Sequence, residues 1–176
     1  MDTINPIALA EQGKKEYEQE NYLAAAEQFA QAAQAYALRK AELDAAEMKN
    51  NQSVALLQAG KAKEALQATE GTEEIFQKAN DSKRQGIAVS NRAAALEGMK
   101  KWKEALAEYD RAASLFEQIG EGDMHSMVRK AAANLNLKRG RIVDSQIDVY
   151  DSLRLVEKPS LTQRLMKFLI RIGLVR

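Results

Sequence analysis

The stretch MKKWKEALAEYDRAASLF, residues 99–116, decides the fold of this chain. Its apolar residues recur at the three- and four-residue spacing of a single buried helix face. The same arrangement begins again at a constant interval along the chain, at Tyr22, Ala62 and Ile142 as well as Trp102. Self-similarity at a fixed period of this length is typical of repeat proteins, in which each unit buries its apolar face against its neighbours.

The repeats therefore predict an all-α solenoid, a right-handed superhelix of four helix hairpins followed by a C-terminal amphipathic helix. We place the repeats near residues 6–43, 44–80, 81–120 and 123–158 of a repeat domain that spans 1–158, with a tail at 159–176. Asn5 followed by Pro6 is a favourable start for the first helix, because Asn caps well and Pro fits the first helical position. Ser160 with Gln163 three residues later is a capping box, which predicts the start of the last helix. We expect one continuous helix over residues 61–78, with Gly71 inside it.

Composition fits a folded protein, with 45% hydrophobic and 29% charged residues and no cysteine. The sequence predicts no signal peptide and no transmembrane span, so we expect a cytoplasmic protein. Residues 1–125 carry 15 Lys and Arg against 21 Asp and Glu, whereas residues 126–176 carry 11 against 4. This asymmetry could steer partners or favour a homo-oligomer, and an uneven distribution over solvated faces explains it equally well.

No residue pattern predicts catalysis, and we expect no cofactor and no metal. His125 is the one histidine and stands beside Ser126, but a catalytic relay also requires a positioned third group and an oxyanion site. We therefore interpret His125 as a surface or helix-start residue. The Gly120-Glu121-Gly122 sequence lacks the strand and the Lys-Ser/Thr of a phosphate-binding loop, so we interpret it as a linker.

The tail has an apolar and a basic face and no acidic residue from Ser160 to Arg176. Its apolar face includes Leu161, Leu165, Phe168, Leu169, Ile172 and Val175, and its basic face Arg164, Lys167 and Arg171. Three interpretations remain open: a helix that caps the last repeat, a helix that lies on an anionic membrane surface, and a helix that docks on another copy. Nucleic acid is not expected, because basic residues are few and not interleaved with aromatic ones.

The pattern resembles the tetratricopeptide repeat (TPR) family across residues 6–158. The first repeat supplies Gly13, Tyr22, Ala25, Phe29 and Ala32, and the third supplies Ala93, Trp102, Ala105, Tyr109 and Ala112. The second and fourth repeats match less well. The family's usual period is about 34 residues, so the longer period here resembles the extended repeats of kinesin light chain-type proteins.

The resemblance implies a non-catalytic adaptor or assembly scaffold that binds a protein or peptide on the concave face formed by the first helix of each hairpin. On this face the resemblance places Lys14, Tyr17, Asn51, Val54, Asn91, Lys130, Asn134 and Lys138. An amide suits the backbone of an extended peptide, since it both donates and accepts hydrogen bonds; Asn51 and Asn91 could alternatively bond within their own helices. Only Asn51 matches the carboxylate clamp of the chaperone-binding members, so we do not predict that clamp.

Overall fold

The computed structural model describes residues 5–156 and 159–171, and these residues form helices and turns with no strand among them. Consecutive helices pack against one another from the first to the ninth, except that the fourth and the fifth each pack against the third and the sixth, which confirms the all-α, solenoid-like fold. The helices are α1 (Pro6–Glu18), α2 (Tyr22–Leu38), α3 (Glu42–Gln58), α4 (Ala62–Ala68), α5 (Thr72–Lys78), α6 (Ser82–Gly98), α7 (Trp102–Gln118), α8 (Gly122–Lys138), α9 (Ile142–Arg154) and α10 (Leu161–Arg171).

The chain reverses direction at regular intervals. A helix begins at each twentieth position from Tyr22 to Ile142, and the complete helices have 17 residues followed by a short turn. Four hairpins result: α1 with α2, α3 with α4 and α5, α6 with α7, and α8 with α9. The period of the sequence repeat is thus two helices and two turns.

All seven of these turns close in the same way. The N–H of the residue that follows the middle of the turn donates to a carbonyl oxygen of the preceding helix, as from Asn21 to Glu16 (2.8 Å) and from Arg141 to Asn136 (2.9 Å). This is the Schellman arrangement, which requires a left-handed backbone at the middle residue and therefore favours Gly. The left-handed residues are Glu20, Lys40, Gly60, Asn80, Lys100, Gly120 and Gly140.

The two helices of a hairpin approach closely because small residues face large ones. A Cβ atom on Gly13 would lie 2.8 Å from the ring of Phe29, so this ring packs directly on the α1 backbone. In the third hairpin Ala93 and Tyr109 occupy the corresponding positions, and both are buried in one apolar cluster. The repeated alanines of the second helices, such as Ala105, are fully buried for the same reason.

The second hairpin departs from the sequence prediction of a continuous helix over residues 61–78. The helix breaks between α4 and α5, where Gly71 has a left-handed backbone with φ of 76°. On either side of the break, the hydroxyl of Thr69 donates to the Leu66 carbonyl (2.7 Å) and that of Thr72 to the Thr69 carbonyl (2.9 Å). Gly71 therefore ends one helix and begins another, because it adopts this backbone without steric cost.

The first and the last helix begin at capping residues, as the sequence predicts. The Asn5 side chain accepts a hydrogen bond from the Ile7 N–H (3.1 Å), with Pro6 in the first helical position. At α10 the Ser160 N–H donates to the Gln163 side chain (2.7 Å), and the Gln163 N–H donates to the Ser160 hydroxyl (3.3 Å). The last helix therefore has its own start signal and does not continue α9.

We expect Lys100→Gly to stabilise the protein. Lys100 is exposed and has φ of 61°, a conformation that costs a non-glycine residue about 1–2 kcal/mol. Glycine avoids this strain but loses more chain entropy on folding, so we expect a net gain of about 0.5–1 kcal/mol in the free energy of unfolding. Urea unfolding followed by circular dichroism measures the change.

Gly120→Ala is the matched control, since Gly120 holds the same position in the next turn with φ of 74°. This variant should be destabilised by about 1 kcal/mol. If Lys100→Gly lowers stability, or Gly120→Ala has no effect, the described geometry of the turns is wrong.

Candidate functional site

Four of the eight residues predicted for the concave face line one cavity of about 220 Å³ between α1 and α3. These are Lys14, Tyr17, Asn51 and Val54. The Lys14 side chain is exposed and the other three are half-buried. Glu18 and the edge of Phe29 complete the wall. The cavity thus combines one cation, one carboxylate, one free amide and three apolar or aromatic surfaces.

The packing of the first two hairpins positions these side chains. The Tyr17 ring meets that of Tyr22 edge to face, with 5.3 Å between centroids. On α3, the hydroxyl of Ser53 donates to the Ala65 carbonyl (2.8 Å), which ties α3 to α4 beside Asn51. Both contacts hold the walls of the cavity without using the Asn51 amide.

The other four predicted residues do not line this cavity. Asn91 is half-buried on α6, and Lys130 and Asn134 are exposed on α8. Lys138 forms an ion pair with Glu97 (2.9 Å), which joins α8 to α6. Among the described residues neither Asn51 nor Asn91 has a side-chain hydrogen-bond partner, so local bonding within the helices does not occupy these amides.

His125 lies in the first turn of α8, as expected of a helix-start residue, but the expectation of a surface position is wrong. Its side chain is 0% exposed. The Nε2 atom lies 3.5 Å from Asp151 on α9, and Asp151 also pairs with Arg129 (2.6 Å). These side chains form a polar layer between α8 and α9, in which His125 is buried and Arg129 and Asp151 are half-buried.

The polar layer continues along the last hairpin. The Asn136 side chain donates to Asp148 (2.9 Å), and Arg129 lies 3.6 Å from the same carboxylate. Burial raises the pKa of Asp148, although the Asn136 hydrogen bond and Arg129 oppose this rise. The third hairpin has Val89 and Leu96 at the positions of Arg129 and Asn136. Comparison of equivalent positions in successive repeats would have revealed this polar layer in the sequence, and our sequence analysis did not use it.

Five acidic side chains line a cavity of about 580 Å³ beside the break at Gly71. Glu73 and Glu108 there both pair with Arg111, and Glu108 also lies 4.0 Å from Arg92. In the part of the chain that the structure describes, no cluster of histidine and carboxylate side chains has an arrangement that could hold a metal ion.

The helix α10 contacts α9 and leaves apolar side chains in solvent, with Leu161 83% and Phe168 56% exposed. On its basic face Arg164 is exposed and Lys167 is half-buried. The side chains of Leu165, Leu169 and Arg171, and the whole of Ile172, lie outside the described residues. Among the helices described, none is both long and apolar enough to cross a membrane.

No protein-family model matches the sequence, and a comparison with curated proteins finds no similar sequence.

Stability should fall as the pH drops below about 6.5, because burial lowers the pKa of His125. Asp151 and Glu117 favour the protonated imidazole, whereas Arg129 and Arg154 oppose it. The unfolded chain then binds a proton that the folded protein does not. One such group changes the free energy of unfolding by up to about 1.4 kcal/mol per pH unit, with higher stability at higher pH.

His125→Gln installs the residue that the preceding repeat has at the equivalent position, Gln85, and removes this titration. Urea unfolding from about pH 7.5 to about pH 5.5 should give a shallower loss of stability for the variant than for the wild type. Equal slopes would show that His125 does not remain neutral in the folded protein.

Proposed function

We propose that the chain is a TPR-type adaptor or assembly scaffold that binds a protein or peptide without catalysis. The observation that carries the proposal is the cavity between α1 and α3, which gathers Lys14, Tyr17, Asn51 and Val54 from two first helices. The resemblance to the TPR family predicts these four residues for the binding face from the sequence alone.

The chemistry of the cavity suits an extended peptide. The Asn51 amide can donate to a peptide carbonyl and accept from a peptide N–H, and no described residue competes for it. Tyr17, Val54 and the edge of Phe29 offer apolar contact for one side chain. Lys14 and Glu18 are charged residues at the rim of the cavity. They select partners of complementary charge more than they increase the affinity of binding.

The proposed place of action is the cytoplasm, which the lack of cysteine allows. The proposed partner is a protein and not a nucleic acid, because the basic residues do not alternate with exposed aromatic ones. Association of two copies remains compatible with the acidic body and basic end.

Combined Asn51→Ala and Asn91→Ala should weaken peptide binding about tenfold or more, since each substitution removes one or two hydrogen bonds to the ligand. Peptides selected from a random displayed library against the wild-type protein serve as ligands, and fluorescence polarisation measures their affinity. The melting temperature should change little, because neither amide is bonded within the described protein.

Gln31→Ala with Gln34→Ala is the control, because it removes two exposed amides from the second helix α2. This variant should bind like the wild type. If the two double variants bind selected peptides equally well, the concave face does not hold the ligand.

A second candidate function is attachment to a membrane surface through α10. The exposure of Leu161 and Phe168 favours it over the interpretation of α10 as a cap, because a cap would cover these side chains. Arg164 and Lys167 lie on the polar face, and Ser160–Arg176 contains no acid, so an anionic surface complements the helix. Under this proposal the solenoid is tethered to the membrane while its concave face remains accessible.

The full-length protein should float with vesicles of phosphatidylserine and phosphatidylcholine and remain in the soluble fraction with phosphatidylcholine alone. Phe168→Asp should abolish flotation, because a charge on the apolar face opposes insertion. Leu38→Asp, at an exposed apolar residue of α2, is the control and should float. Full-length protein that stays soluble with anionic vesicles would exclude this candidate.

A further inference from the structure

A cavity of about 490 Å³ lies between α7 and the last hairpin, and Asn136 of α8 is among the residues that line it. Leu106, Ala107 and Ile147 form its apolar part, from α7 and α9. The turn between α8 and α9 contributes Arg139 and Arg141. Its volume is enough for a short segment of a peptide.

The carboxylates of this cavity are already engaged by the protein. Asp110 pairs with Arg129, and Asp144 pairs with Arg141 (2.7 Å). Asp148 accepts a hydrogen bond from Asn136 (2.9 Å). The carboxylates that line the cavity are therefore paired with side chains of this chain itself.

Two cations of the cavity are not engaged in this way. Within residues 5–156 and 159–171, neither Lys103 nor Arg139 forms an ion pair. The Nη1 atom of Arg139 is shielded from solvent and has no hydrogen-bond partner. The Oδ1 atom of Asn136 is also buried and unpartnered, in a residue that is 5% exposed. The cavity thus contains hydrogen-bond donors and one hydrogen-bond acceptor that have no partner among the described residues.

The third repeat has a comparable cavity, but apolar residues stand at two of the positions that are polar in the fourth repeat. The cavity between α4–α5 and α7 has Leu66, Lys101 and Glu104 where this one has Leu106, Arg141 and Asp144. Leu96 and Met99 stand at the positions of Asn136 and Arg139. The fourth repeat has therefore replaced two apolar residues with polar ones whose buried atoms are unsatisfied, which costs stability. Such departures from local consistency concentrate at functional sites.

We propose that this cavity binds a carboxylate of an acidic peptide segment, with an apolar residue of the same segment beside it. The Arg139 guanidinium and the Lys103 ammonium bind the carboxylate, since a guanidinium presents paired N–H groups that match its geometry. Leu106 and the 60% exposed side chain of Ile147 contact the apolar residue. None of the eight residues predicted for the concave face lines this cavity, so either proposal can fail without the other.

The test is an NMR titration of ¹⁵N-labelled full-length protein with acetyl-Leu-Glu-Leu-amide. Chemical-shift changes should concentrate in residues 103–110 and 136–148. The uncharged peptide acetyl-Leu-Gln-Leu-amide should bind roughly tenfold more weakly, because it lacks the charge-assisted hydrogen bonds.

Arg139→Met installs the residue of the third repeat and should weaken binding of the Glu peptide by a similar factor, without lowering the melting temperature. Lys103→Met, at an exposed position, should also weaken binding, and it keeps the test valid if Arg139→Met unfolds. Lys63→Met is the matched control: it removes the same charge from the equivalent position of the second repeat and should bind like the wild type.

Several results would overturn the proposal. These are the absence of shift changes, equal binding of the Glu and Gln peptides, and shift changes confined to α1 and α3. Inorganic phosphate that displaces the Glu peptide at an equal concentration would also overturn it, because the cavity would then bind any small anion. Loss of Glu-peptide binding in the Asn51→Ala and Asn91→Ala variant would place this peptide on the concave face and would overturn the proposal too.

Discussion

The left-handed residue at the middle of each turn is the constraint on which the rest of the structure depends. It lets the chain close a hydrogen bond back to the helix it has just left, and so reverse direction at a constant spacing. Because seven turns share this geometry, equivalent side chains of successive hairpins meet in the same register. Ion pairs recur between neighbouring hairpins as a result, as between Arg84 and Glu47 and between Arg154 and Glu117, although exposed pairs of this kind add little stability.

Because the hairpins repeat so regularly, the places where one hairpin differs from the others are informative. The break at Gly71 divides one helix into α4 and α5 and lies beside a cavity of about 580 Å³. In the last hairpin, Arg129 and Asn136 of the polar layer stand where the third hairpin has the buried apolar residues Val89 and Leu96. Unsatisfied buried groups cost free energy, so a purely structural hairpin would have kept the apolar residues that the third repeat has. Function is therefore most readily sought at the concave cavity and in the fourth repeat.

The sequence predicted the helices and their pairing well, because both depend on local signals. Trp102, Ala105 and Tyr109 define one helix face by their spacing, and Asn5 and Ser160 mark helix starts by their side-chain chemistry. The break at Gly71 was not predicted, because one internal glycine costs a helix only about 1 kcal/mol and the choice between tolerance and a break depends on packing. The burial of His125 depends on its contact with α9, so the sequence of its own helix could not indicate it.

The candidate site was predicted only in part, for the same reason. The repeat pattern placed Lys14, Tyr17, Asn51 and Val54 on one face, and these residues line one cavity. Asn91 and the α8 residues share that face by position but not that cavity. Comparison of the repeats would have indicated the polar groups around Asn136, because the third repeat has Leu96 at that position. Their partners on α9 could not be predicted in this way, since pairing depends on how the two helices pack.

The central claim is that no hairpin is stable alone and that each one folds by stacking on its neighbours. The most direct measurement is circular dichroism of a peptide that contains only residues 82–118, the hairpin with the most regular pattern. The account predicts low helix content and no cooperative thermal transition for this peptide, beside a cooperative transition for the full chain. A peptide that is as helical as the same hairpin in the intact protein, and that melts cooperatively by itself, would contradict it.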